Sequence, residues 1–117
     1  MLSFLFYWLL RTPRAYQAIR AEVDQVCGNE SVKFEHLQKL KYIDASLKEA
    51  LRLNPTAPAW TVTPKKDETL LDGKYEIKEG QSIMVILDAL HKDPAVWGED
   101  ADDFRSVCML LAERSSC

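Results

Sequence analysis

The sequence predicts a mainly α-helical chain with a small β-meander, an α+β arrangement, and three observations carry that reading. Apolar residues recur at helical spacing in successive runs up to Asn54-Pro55. Beyond that dipeptide, Trp60 and Val62 alternate with Thr61 and Thr63, a strand pattern. Asp72-Gly73 then lies between Leu70-Leu71 and Tyr75-Glu76-Ile77, a strong hairpin cue that favours a type I′ turn.

In order, the first run is MLSFLFYWLL, Met1 to Leu10, uncharged and apolar. It lacks a basic n-region and a small-residue cleavage site, and it is shorter than the roughly 20 residues of a spanning helix. It reads as the buried end of a core helix, apolar on nearly all sides and sheathed by others, and no transmembrane segment is expected in this chain. Thr12-Pro13 restarts the chain, Thr as N-cap and Pro at the first helical position. The next helix runs to about Cys27 with Tyr16, Ile19, Val23 and Val26 as its buried stripe and Arg14, Arg20, Glu22 and Asp24 on the wet side. Gly28-Asn29 supplies a left-handed stop. Ser31 opens a short helix carrying Phe34 and Leu37 inward.

A helix from about Leu40 follows and ends at Asn54-Pro55. Leu40, Ile43, Leu47, Ala50 and Leu51 form its apolar stripe. Glu49 and Arg52, three apart, share the other side with Ala45 and Tyr42. Spacing alone fits a solvated pair contributing about 0.2–0.5 kcal/mol. Lys48 and Glu49, adjacent in sequence, project differently from the helix and form no acid–base pair. After the strand at Trp60, Pro64 ends it or confines it to an edge. Glu79-Gly80 turns the chain into Ser82–Leu87, apolar on both faces and expected to be covered on both. Asp93-Pro94 repeats the cap-then-proline device and starts a short helix stopped by Gly98.

Several function classes are excluded or disfavoured. A net charge of -3 offers no footprint for nucleic acid. Cys27, Cys108 and Cys117 form no paired framework and fit a reducing compartment. His36 and His91 lack a second ligand at metal-binding spacing and read as surface or helix-end residues. Glu99, Asp100, Asp102 and Asp103 lack the spacing of a calcium loop and read as a solvated acidic loop. There are no internal repeats and no linker-like tract.

Three stretches change the weight given to the Glu–Arg pair: LSFLFYWLLRTP at the start, EALRLNPTAPAW in the middle, and LHKDPAVWG before DDFR. Together they resemble the cytochrome P-450 (heme-thiolate monooxygenase) superfamily, over about Leu2 to Arg105. The Pro-Thr-Ala-Pro-Ala stretch resembles the self-sufficient, reductase-fused fatty-acid hydroxylases. The resemblance implies a partial cytochrome P-450 fold, from the end of the long distal helix to just before the heme-binding cysteine loop. It implies that Glu49 and Arg52 are the structural ion pair of the ExxR motif, buried beneath that loop. Ala57 and Pro58 would line the substrate pocket or the heme edge. Val62 stands where many members place an arginine for a heme propionate, as it does in the fused-reductase branch. The implied cofactor is heme b. The implied partners are a flavin-containing reductase and a lipophilic small molecule, and the implied reaction is an NADPH- and O2-dependent hydroxylation.

The departures set the functional expectation. Family members continue from Phe-Arg into Pro-Glu-Arg-Phe, whose arginine completes a triad with the pair; here Phe104-Arg105 runs into Ser106-Val107-Cys108-Met109. The family's F-x-x-G-x-x-x-C-x-G loop, whose cysteine ligates the iron, has no counterpart, and Met1 falls after the segment that delivers protons. Residues 1–105 are thus family-like within a single partial domain of 1–117, and 106–117 form a divergent tail. That tail reads as a gene-model error, an unspliced intron or a frameshift, with a replacement amphipathic helix as the alternative. The chain alone is expected to be inactive and marginal or aggregation-prone. The other readings are a non-enzymatic interaction or structural fragment and, least favoured, a small domain with an Asp/Glu site. The compartment expected is the cytoplasm, with association to the endoplasmic reticulum membrane as the alternative for the full-length parent.

Overall fold

A computed structural model describes residues 1–106. Its elements run α1 (Leu2–Arg11), α2 (Pro13–Cys27), α3 (Phe34–Leu37), α4 (Lys41–Leu53), β1 (Ala59–Val62), β2 (Glu68–Leu70), β3 (Tyr75–Ile77), β4 (Ile83–Ile86), α5 (Leu87–Leu90) and α6 (Pro94–Trp97). The predicted α+β class is the one found. Leu5, Leu9, Ala15, Ala50, Leu53 and Phe104 form the core, with Trp8, Ile19, Tyr42 and Leu47 packed against it. The core therefore sits where α1, α2 and α4 meet, and one residue from the far end of the described chain plugs it.

Local chemistry sets most element boundaries. Thr12 bridges α1 and α2: its amide donates to Trp8 and Leu9, and its carbonyl accepts from Ala15 and Tyr16. Pro13 occupies the first turn of α2, where no backbone donor is needed. Gly28, at φ +56°, stops that helix. Asp93 caps α6, its carboxylate accepting from the Ala95 amide at 2.9 Å.

β1 pairs antiparallel with β4, Ala59 opposite Ile86 and Val62 opposite Ile83. β2 pairs antiparallel with β3, Leu70 opposite Tyr75. Asp72 and Gly73 both have positive φ, +54° and +88°, and Lys74 N–H donates to the Leu71 carbonyl at 3.1 Å. These are the signs and the bond that a type I′ turn requires.

Several sequence expectations are corrected. α1 is not sheathed: Leu5 and Leu9 are buried, but Leu2, Phe6 and Leu10 are 58%, 60% and 79% exposed, because α2 and α4 meet only one side of it. In α2 the contact line runs through Ala15 and Ile19, leaving Tyr16 exposed. Glu22 is half-buried rather than on the wet side. Its two carboxylate oxygens accept from the Tyr42 and Ile43 amides at 2.8 and 3.0 Å. A helix leaves its first N–H groups without internal partners, and its positive end favours a carboxylate, so α2 caps α4.

α3 opens at Phe34 with Lys33 as N-cap, and it buries His36 while Phe34 and Leu37 stay exposed. The Lys33 amide donates to His36 Nδ1 at 3.2 Å, which turns that imidazole inward. β4 is not covered on both faces: Ile83 and Val85 are half-buried, Met84 and Ile86 exposed. Its apolar run permits two-sided burial, but among the described residues its sheet has two strands and an open outer face.

The open architecture shows in the dimensions. The accessible surface is 8925 Å², against about 6,500 Å² for a compact protein of this mass. The radius of gyration is 18.8 Å, against about 13 Å expected for a compact chain of this length.

Candidate functional site: the Glu49–Arg52 junction

The most buried face of α4 is not its apolar stripe. Ala45, Ser46, Glu49, Ala50, Arg52 and Leu53 are buried, while Ile43, Leu47 and Leu51 of the expected stripe are half-buried. Glu49 and Arg52 are 2% and 4% exposed, so water cannot satisfy them and protein groups must.

They do so completely. Arg52 Nε–H donates to Glu49 Oε2 and Nη2–H to Oε1, both at 2.9 Å, a parallel two-bond fork. Nη1 donates to the carbonyls of His91 and Ala101, each at 2.7 Å, and Nη2 also reaches the Asp103 carbonyl at 3.2 Å. All five guanidinium N–H bonds are thereby used. Glu49 Oε1 additionally accepts the Arg105 amide at 2.9 Å. The pair thus ties α4 to backbone groups spread over residues 91–105, a segment with little regular structure of its own. The planar fork of arginine suits this task and an ammonium does not.

Neighbours reinforce the tie. The Trp97 ring lies 4.8 Å from the Arg52 guanidinium carbon. Arg105 pairs with Asp100 and donates to the Trp97 carbonyl at 3.4 Å. Phe104 stacks on Trp8 with planes 7° apart and centroids at 5.7 Å, and Trp8 Nε1–H donates to Asn54 Oδ1 at 2.8 Å. The loop is therefore fastened twice, by a charge network and by an aromatic plug.

The junction can hold structure but has no donor left for substrate. Removing one partner of a buried pair costs about 3–5 kcal/mol, because the other charge is stranded. That is several times the worth of an exposed pair such as Lys48–Asp44.

The remaining sequence-predicted residues lie elsewhere. Ala57 and Pro58 are exposed, in the turn between α4 and β1. The Pro58 carbonyl accepts from the Leu87 and Asp88 amides at 2.8 and 3.3 Å, which pins the start of β1 to the end of β4. Val62 is exposed at the end of β1. Among the described residues, no group of three or more His, Cys, Asp or Glu side chains could hold a metal ion. Cys27 is buried at the end of α2, and Cys108 and Cys117 lie outside the described residues. No described helix is long and apolar enough to cross a membrane.

A buried Glu-x-x-Arg fork thus clamps the loop that follows it. A sequence model of cytochrome P450 matches residues 1–106. The chain belongs to the cytochrome P450 family. It is 51% identical to a self-sufficient cytochrome P450 monooxygenase, CYP505E3, of Aspergillus terreus over 110 residues, which cover 94% of this chain and 10% of that protein. Identity to CYP505E4 of Penicillium freii is 52% over 110 residues, with the same coverage of both. For CYP505AG1 of Oidiodendron maius it is 47% over 109 residues, 93% of this chain and 10% of that protein. The chain spans about a tenth of the length of these relatives.

Cytochromes P450 are heme proteins, and the described residues of this chain do not by themselves fit a ligated heme. The one described cysteine, Cys27, is buried at the end of α2, and no described group of three or more His, Cys, Asp or Glu side chains could hold a metal ion. Sequence reasoning missed Trp97, the carbonyls of His91, Ala101 and Asp103, and the capping role of Glu22. Backbone acceptors leave no mark in residue identity, and Glu22 carries no signal beyond its charge.

Proposed function

We propose that this chain is the part of a heme-thiolate monooxygenase that braces the heme pocket, and that it is inactive by itself. The observation that carries the reading is the Glu49–Arg52 fork, whose three remaining guanidinium donors are spent on the carbonyls of His91, Ala101 and Asp103. The kinship with self-sufficient P450 monooxygenases supports it. In the parent protein the activity would be hydroxylation of a fatty acid or another lipophilic substrate, with a flavin-containing reductase supplying electrons from NADPH. Heme b would supply the oxygen chemistry, on a ligand from outside the described residues. Glu49 and Arg52 would keep the loop in place, and Ala57 and Pro58 would shape the wall of the substrate space. The compartment we assign is the cytoplasm, with the endoplasmic reticulum membrane as the alternative for the parent; fractionation of cells expressing the tagged parent separates the two.

Hemin titration of the purified chain tests the inactivity. The expected result is no saturable change in the Soret region and no hydroxylation with added reductase and NADPH. A one-to-one complex with a thiolate-type spectrum would overturn it. A second reading, a non-enzymatic interaction fragment, is favoured by the exposed Leu2, Phe6 and Leu10 of α1. A single discrete complex in size-exclusion chromatography would support that reading over the first.

A further inference from the structure

We infer that Trp97 is a positioning residue that shields one side of the Glu49–Arg52 network from solvent, acting on the 91–105 loop through Arg52. This goes beyond the monooxygenase reading and does not depend on it. The edge of the guanidinium is fully occupied by five hydrogen bonds, so water could approach it only over its two faces. The indole of Trp97 lies on one side, 4.8 Å from the guanidinium carbon. Trp97 itself is half-buried while Arg52 is 4% exposed, so the ring shields one side of the charge from solvent.

A flat π-face suits this position in two ways. It attracts the cation electrostatically, and it offers no donor or acceptor that would compete with the carbonyls in the plane. The backbone of Trp97 is held as well. Its amide donates to the Asp93 carbonyl at 2.9 Å, within the turn that Asp93 caps, and its carbonyl accepts from Arg105. Pro94 and Gly98 bound that turn on either side, Gly98 at φ +87°. The ring is thus set by a capped turn within the loop, and it lies against the charge that fastens the loop on both sides of that turn.

The test is hydrogen–deuterium exchange of the full 117-residue chain, read by mass spectrometry on peptides covering residues 99–106 and, as an internal reference, α2. The Arg105 amide, bound to Glu49 Oε1, lies in the first peptide. Trp97→Leu, which keeps apolar bulk and loses the π-face, is expected to raise exchange there by roughly tenfold while α2 stays unchanged. Trp97→Phe, which keeps a ring, is expected to restore most of the protection. Equal exchange in the Leu and Phe variants would reduce Trp97 to apolar filler and overturn the inference. So would acceleration spread evenly over α2 and the loop.

Discussion

The Glu49–Arg52 junction and the outer face of the β1–β4 sheet are built on opposite terms. At the junction two charged side chains are nearly as hidden as Leu53, and each polar atom has a protein partner. On the sheet's outer face, Met84 and Ile86, which are apolar, stand more than half exposed. Residue type alone would reverse the two, hiding the sheet and wetting the pair. The difference shows that a buried charge is tolerated where backbone carbonyls converge on it. An apolar strand needs a second layer that the described residues do not contain.

Substitutions that break the comparison should therefore differ widely in effect. Arg52→Ala strands the Glu49 carboxylate and should lower stability by about 3–5 kcal/mol, with Arg52→Lys recovering only part because an ammonium cannot fork. Urea titration followed by circular dichroism, in a sulfate buffer that strengthens apolar burial, measures this. Glu22→Ala removes two acceptors from the first turn of α4 and should cost about 0.5–2 kcal/mol in the same titration. Met84→Thr on the open sheet should fall within about 0.5 kcal/mol of the unsubstituted chain. Light scattering should also show less self-association, since a polar side chain then interrupts the exposed apolar face.

The smallest expected effect is one of pH. The Glu79 amide, and after it the Lys78 ammonium, hold the Asp67 carboxyl below the usual carboxylate range. A carboxyl depressed in the folded state stabilises the fold above its unfolded pKa. That contribution disappears as pH falls through the lowered folded value. Asp67→Asn should flatten the response of the β2–β3 amide shifts across that acid window in NMR spectra. Asp67 is fully exposed, so neutral-pH stability should hardly move.

How far the sequence discloses the structure varies along the same divide. Helices with caps and stops, the Asp72-Gly73 turn and the Asp93-Pro94 start were legible because each depends on one or two residues' backbone preferences. The α1 and β4 faces were misjudged because hydrophobicity records what a surface could bury, not what is there to bury it. Glu49 and Arg52 were visible as a pair, and the family resemblance pointed to burial. Their completeness was not visible, since it rests on three carbonyls and one amide contributed from about forty to fifty-six residues away.

A double-substitution cycle on Glu49→Met and Arg52→Met addresses the clamp most directly, each variant unfolded by urea in the sulfate buffer. The clamp predicts that each single change is severe and that the double change costs less than their sum by about 0.5–3 kcal/mol, since neither charge is then stranded. Two small, additive losses of the size seen at exposed ion pairs would contradict it.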